Sequence, residues 1–175
     1  LRNYNLARYF ALFLALALAG PLAWAQEEDA AKGEPDETVQ QDPRQFVDFK
    51  PPAGFEPAAS DDTAILKWRK GSGEIYLVMG GVIPESRQKL FDQLKEFAGK
   101  DPTIAEVRDL KIDSSHAFVY TEKPPEDPGR LRSMRMVVIT DKQVLTVDFT
   151  APAKDFESFV GDFDSAIKSF KLKAS

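Results

Sequence analysis

Residues 134–170 read MRMVVITDKQVLTVDFTAPAKDFESFVGDFDSAIKSF, and the apolar period changes once within them. Up to Phe149, side chains of like character recur at every second position. Met136, Val138 and Thr140 alternate with Arg135, Val137 and Ile139, and Leu145, Val147 and Phe149 alternate with Val144, Thr146 and Asp148. Asp141-Lys142 lies between the two runs, so together they read as a β-hairpin. After Thr150-Ala151-Pro152 the period lengthens to about 3.6. Phe156, Phe159, Val160, Phe163, Ile167 and Phe170 then fall on one helical face. Burying such a face is worth on the order of 10 kcal/mol, and a sheet is the surface that can bury it. The hairpin is part of that sheet.

Val137-Val138-Ile139 and Ile75-Tyr76-Leu77-Val78-Met79 put apolar side chains on both faces of their strands. Such strands are covered on both sides, which asks for a second helix opposite the first. Residues 85–98 supply one, with Leu90, Phe91, Leu94 and Phe97 on one face and Arg87, Lys89, Asp92 and Lys95 on the other. Glu85 or Ser86 is placed to cap its start, and Gly99 and Asp101-Pro102 end it. Further strands are expected at 46–49, 65–69, 74–83, 105–112 and 116–123, and the first hairpin strand begins near Leu131. Gly71-Ser72-Gly73 fits a hairpin turn and Gly80-Gly81 a bulge. Pro51-Pro52-Ala53-Gly54 fits a turn that returns Phe55 to the core. Three prolines and a glycine in residues 123–129 (KPPEDPG) exclude regular structure there. The order is three strands, helix, four strands, helix. Helices that follow hairpins, rather than separating every pair of strands, indicate the α+β class. The expected fold is a mainly antiparallel sheet with helices packed on its faces, an α/β/α sandwich.

The first 25 residues hold the parts of a secretory signal peptide in order. Arg2 and Arg8 precede the apolar run Tyr9–Ala19, Gly20-Pro21 breaks it, and Ala23-Trp24-Ala25 stands before Gln26. Cleavage after Ala25 is expected, giving a periplasmic or secreted protein with no transmembrane segment; the alternative is an uncleaved anchor. Residues 26–44 have no period and carry seven acidic residues against Lys32 and Arg44. They bury too little to offset chain ordering, so they read as a disordered acidic tether. One folded domain, residues 45–173, follows.

The chain has no cysteine and one histidine. Disulfides, thiolate metal sites and a multi-histidine site within one chain are thereby excluded. Net charge is −5; the first 25 residues add +2 and residues 26–44 carry −5, which leaves −2 on the domain. A nearly balanced, slightly acidic domain lacks the charge that neutralises nucleic-acid phosphates.

His116 follows Asp113-Ser114-Ser115. A hydrolase would use His116 as base and one serine as nucleophile. Adjacent strand side chains point to opposite faces, however, and no Gly-x-Ser-x-Gly elbow occurs. A surface or half-buried strand histidine is the favoured reading. Asp148 lies among apolar neighbours and needs a partner, for which Arg135 or Lys142 on the adjoining strand is placed. It is otherwise an edge or solvent-facing residue, or a contact for a ligand or metal. No EF-hand loop occurs. Trp68 beside Arg69 and Lys70, with Arg130, Arg132 and Arg135 downstream, has the composition of a surface for an acidic partner or lipid head groups. The plainer reading makes Trp68 core and the bases a solvated face. Pro124 and Pro125 lie in the loop best suited to recognition. The candidate partner-binding set is therefore Trp68, Arg69, Lys70, Pro124, Pro125, Arg130 and Arg132. No catalytic, metal or cofactor-binding residue is assigned, and no cofactor is expected.

Phe49-x-x-Pro52-x-Gly54-Phe55 at the start of the domain, the strand order, and Ile167-x-Ser169-Phe170 at its close resemble the PsbP-like family. Its α/β/α sandwich is shared with Mog-type Ran-binding proteins and with DcrB- and LpqN-type exported bacterial proteins. The resemblance covers about residues 46–172 and rests on turn and core residues. It implies an antiparallel sheet between helices, an exported protein and a non-catalytic role. Photosynthetic members are extrinsic subunits of the thylakoid lumen; this chain lacks their long basic N-terminal region, and none of their metal ligands transfers to a matched position. The expected function is that of an exported, non-enzymatic binding or assembly factor with a protein partner at the envelope or membrane. Alternatives are a small-ligand or lipid carrier and a hydrolase using His116.

Overall fold

The hairpin read from residues 134–149 is at the centre of the sheet. A computed structural model describes residues 42–60, 65–82, 86–141 and 143–173. They lie within one compact unit, Val39–Ser175. The expected signal peptide, residues 1–25, and residues 26–41 of the expected tether lie outside the described residues. Asp42 and Arg44, at the end of that segment, flank Pro43 in a 3-10 turn, Pro43–Gln45, where the Asp42 side chain accepts the Arg44 N–H and Pro43 is buried.

Among the described residues the order is β1 (Val47–Asp48), β2 (Glu56–Ala58), β3 (Ile65–Lys70), β4 (Gly73–Val82), α1 (Arg87–Lys100), β5 (Ile104–Ile112), β6 (Ser115–Glu122), β7 (Leu131–Ile139), β8 (Gln143–Pro152), α2 (Ala153–Ser169) and β9 (Lys171–Leu172). Seven strands form one sheet in the order β2-β3-β4-β8-β7-β6-β5, and every neighbouring pair is antiparallel. β1 and β9 form a separate antiparallel pair. The expected bulge falls at Gly80-Gly81, where the β4–β8 register shifts between Met79 and Val82.

The hairpin strands are buried on both faces, as their sequence requires. Met134, Met136, Val138, Leu145, Val147 and Phe149 pack with Phe156, Phe163, Ala166 and Ile167 of α2. Val137, Ile139, Val144 and Phe118 pack with Leu90, Phe91, Leu94 and Ala98 of α1. Residues of one strand that alternate thus go to different helices, and the two helices lie on opposite faces of the sheet. Gly73 lets α2 come this close: a Cβ there would stand 2.8 Å from the Phe159 ring.

The two motifs that carried the family resemblance meet in space. Phe55 N–H donates to Pro52 O at 3.1 Å, and Gly54 between them has φ +84°, the left-handed position that a type II turn demands. The turn delivers Phe55 against Phe163, ring centroids 6.3 Å apart. Phe49 packs on Phe170 at 6.3 Å, and the Ser169 hydroxyl donates to Lys50 O at 3.0 Å. The end of α2 is therefore fastened to the start of the domain.

The structure corrects the reading of α1. Phe97, expected in the core, is 47% exposed, while Ala98 is buried. Leu90, Phe91, Leu94 and Ala98 define the packed stripe, and at 3.6 residues per turn Phe97 lies roughly 75° from its centre. Ser86 precedes the helix but its side chain makes no cap bond. β2 and β9 were not expected. β2 contains Pro57 and sits at a sheet edge, where a missing N–H costs no ladder bond; β9 has two residues and therefore no readable period.

Candidate functional site

Strand alternation divides the proposed partner-binding residues. Trp68 turns to the α2 side and packs on Phe49 at 5.1 Å. Lys70 is on the same side, bonded to Asp162 of α2 at 2.7 Å and set over the Phe55 ring at 5.7 Å. Arg69 points the other way, where its Nε donates to Glu74 at 2.8 Å. The three do not form one surface. Arg132 is only 9% exposed: its guanidinium lies 4.5 Å from the Phe156 ring, pairs with Glu157, and donates from Nε to Glu122 O at 2.8 Å. It fastens α2 to the sheet.

Pro124 and Arg130 are exposed and Pro125 half-buried, in a loop tied down at both ends. Lys123 N–H donates to Thr103 O at 2.7 Å. At the other end, Arg130 O accepts the Ala153 N–H at 2.9 Å and Pro128 O the Lys154 N–H at 3.1 Å. These carbonyls satisfy orphan donors in the first turn of α2, where the N-cap Pro152 offers no side-chain bond.

His116 is half-buried beside Phe91 of α1, ring centroids 5.3 Å apart. The acid nearest in sequence, Asp113, instead accepts the Leu172 N–H at 3.3 Å, so the Asp-Ser-His neighbourhood does not assemble a triad. Among the described residues no group of three or more His, Cys, Asp or Glu is arranged to hold a metal.

A site that sequence reading touched at Asp148, Arg135 and Arg69, without joining the three, occupies the face of the sheet that α1 shares. α1 packs on β5 and β6, and the opposite end of that face carries polar side chains in two rows across five strands. One row is Lys67, Tyr76, Asp148, Arg135 and Tyr120. The next is Arg69, Glu74, Thr150 and Ser133, continued by Glu122, whose Oε2 accepts the Ser133 N–H at 3.1 Å. Each strand contributes a polar-x-polar pair, because residues two apart share a face.

Asp148 meets Arg135 side-on: Nε and Nη2 donate to its two oxygens, the latter at 3.0 Å. Both side chains lie on interior strands with little exposure, so Asp148 is an ion-paired group and not an edge residue. Arg135 Nη1 also donates to the Tyr120 hydroxyl at 3.1 Å. Glu74 gathers Tyr76 and Arg69 and stands 3.2 Å from Lys67. Burial works against the Glu74 carboxylate, but hydrogen bonds from Tyr76, Arg69 and Lys67 outweigh it and hold its pKa below the ordinary value. Glu122 is the reverse case. Burial pushes its carboxyl up, and the Ser133 bonds and the charge of Arg135 only partly oppose this. Burial also pushes the Tyr120 hydroxyl up to about 12 and raises Tyr76, where the bond to Glu74 adds to the effect. Between Glu74 and Ser133, the Thr150 hydroxyl is buried with no hydrogen-bond partner among the described residues.

No protein-family model matches the chain, and no curated protein sequence matches it. Solved structures do. The solution structure of cyanobacterial PsbP (CyanoP) from Synechocystis sp. PCC 6803 aligns with TM-score 0.50 and 8% identity, over 74% of this chain and 88% of that one. The fold is PsbP-like. LpqN, involved in cell envelope biogenesis of Mycobacterium tuberculosis, aligns with TM-score 0.53 and 8% identity, over 73% of this chain and 83% of that one. At this identity the likeness is one of fold alone. No helix among the described residues is long and apolar enough to cross a membrane.

Proposed function

We propose that this PsbP-like protein is an exported accessory factor of the cell envelope that binds and does not transform its target. The observation that carries the reading is the fold likeness to LpqN, a protein of envelope biogenesis. The export pattern of residues 1–25 supports it. So does the chemistry of the polar face, whose charged groups are engaged with one another: a nucleophile or base tied into an ion pair is not free to act. The exposed loop 124–130, held on a rigid scaffold, is the surface offered to an envelope or membrane-associated protein partner.

The test is fractionation of cells that express the full chain, with N-terminal sequencing of the product. A mature protein beginning at Gln26 outside the cytoplasm is expected. An unprocessed cytoplasmic product overturns export. Photo-crosslinking from Pro124 and Arg130 is expected to trap a specific envelope protein, and crosslinking that yields no specific product overturns the assigned contact surface.

A further inference from the structure

We propose that Glu122 is a proton-responsive clasp for the contact loop: its side chain bridges the neck where β6 and β7 part, and so sets how residues 123–130 are presented. The proposal rests on the role given to that loop above and names its regulation.

The strand register places the neck. β6 and β7 pair from His116–Ile139 to Thr121–Met134 and no further. The next residues across are Glu122 and Ser133, and there side chains take over from the ladder. Glu122 Oε2 accepts the Ser133 N–H at 3.1 Å, and Glu122 O accepts a bond from Arg132 Nε at 2.8 Å. β6 meanwhile keeps to β5: Ile104 faces Glu122, and Lys123 N–H donates to Thr103 O at 2.7 Å. One end of the loop therefore leaves alongside β5. The other returns into β7 and is fixed to α2 through the Arg130 and Pro128 carbonyls. The bonds across the neck run from Ser133 and Arg132 on one side to Glu122 on the other.

A carboxyl in this position answers to protons. Ser133 is buried and Glu122 half-buried. The groups that act on the carboxyl are Ser133 and Arg135 of β7 and Asp148 of β8. β5 presents Ile104, which does not titrate, and α2 reaches the neck through Glu157, held by Arg132. Burial outweighs the Ser133 bonds and the Arg135 charge, and Asp148 adds to it, so the neutral carboxyl is favoured in place. Its carbonyl oxygen still accepts the Ser133 N–H. In water the carboxyl ionises at the ordinary value of 4.5, so ionisation shifts the balance toward an open neck with the carboxylate solvated. The clasp holds while Glu122 is protonated and loosens as pH rises through its folded value.

The experiment is amide hydrogen exchange of the purified exported protein, followed by NMR at steps from about pH 4 to about pH 8 and corrected for intrinsic rates. In the parent, protection of the Ser133 and Arg130 amides is expected to fall as pH rises through the folded value of Glu122, while Val137 and Val138 keep theirs. Glu122→Gln, which still accepts the Ser133 N–H, is expected to stay protected with no such step. Glu122→Ala is expected to lose about tenfold in protection at both amides at every pH. The proposal is overturned if Glu122→Ala leaves these amides as protected as in the parent, or if Glu122→Gln keeps the parent's step. If Glu122→Ala does not fold, Glu122→Gln and the parent profile decide the matter. In cells held in acidic and in neutral medium, photo-crosslinking from Arg130 is expected to follow exchange: stronger at acid pH in the parent, and independent of pH in Glu122→Gln. Exchange that steps while crosslinking does not overturns the regulation and leaves the loop as the contact surface. No specific crosslink at either pH overturns the contact surface and its regulation together, while the step in exchange still reports the clasp.

Discussion

Arg135 and Asp148 show why single residues in this sheet carry large effects. Each lies on an interior strand, and the guanidinium meets the carboxylate along two bonds. Asp148→Asn strands the Arg135 charge and is expected to cost about 3 kcal/mol in urea unfolding. The double change Arg135→Met, Asp148→Leu removes both charges and should cost less than Asp148→Asn alone; a cost equal to the sum of the single changes would refute the pairing. Glu122 and Glu74 set opposite pH dependences. Glu122, raised in the fold above its ordinary 4.5, contributes stability while protonated and loses it as pH rises through its folded value. Glu74, lowered below 4.5, contributes stability above that value and loses it as pH falls. Glu122→Gln should therefore unfold at higher urea than the parent at pH 7, with the difference closing on acidification below the ordinary carboxyl value. A difference that does not change with pH sinks the assignment. Gly73→Ala forces a methyl onto the Phe159 ring and is expected to cost about 2 kcal/mol.

At the scale of elements, α1 separates what periodicity can and cannot say. Its apolar stripe was legible because Leu90, Phe91 and Leu94 fall within one turn. Its rotation was not, because Phe97 and Ala98 are neighbours and only the position of the sheet chooses between them. Phe97→Lys is expected to change stability by less than about 0.5 kcal/mol, whereas Phe91→Ala costs about 3 kcal/mol; equal losses in thermal melts would contradict the burial described. The start of α2 was legible from Pro152, but its cap was not. The bonds come from Pro128 and Arg130 carbonyls, supplied by a loop whose sequence says only that it is irregular. Replacing residues 124–128 with Gly and Ser should speed hydrogen exchange at Ala153 and Lys154 while the amides of β7 stay protected.

Across the whole molecule, the layers could be read and the neighbours could not. Val137-Val138-Ile139 states that both faces are covered, and the two helices cover them. No residue pattern states that β4 lies against β8, since the partners are some seventy positions apart and the connection runs through α1 and three other strands. The polar rows depend on that adjacency. Lys67-x-Arg69, Glu74-x-Tyr76, Tyr120-x-Glu122, Ser133-x-Arg135 and Asp148-x-Thr150 each look like an ordinary wet strand face until the sheet order sets them side by side. For the same reason pairs within one hairpin, Arg135–Asp148 in β7–β8 and Arg69–Glu74 in β3–β4, were open to sequence reading, and the contacts across β4–β8 were not.

β1 and β9 hold the two ends of the folded unit together: Val47 faces Leu172, and Lys173 N–H donates to Phe46 O at 2.8 Å. A short peptide linking residue 173 to residue 42 therefore bridges neighbouring points. With the chain opened instead between Gly71 and Ser72, both exposed in a hairpin turn, such a circular permutant should fold to the same sheet. The order of synthesis would be rearranged, and the architecture would be indifferent to it.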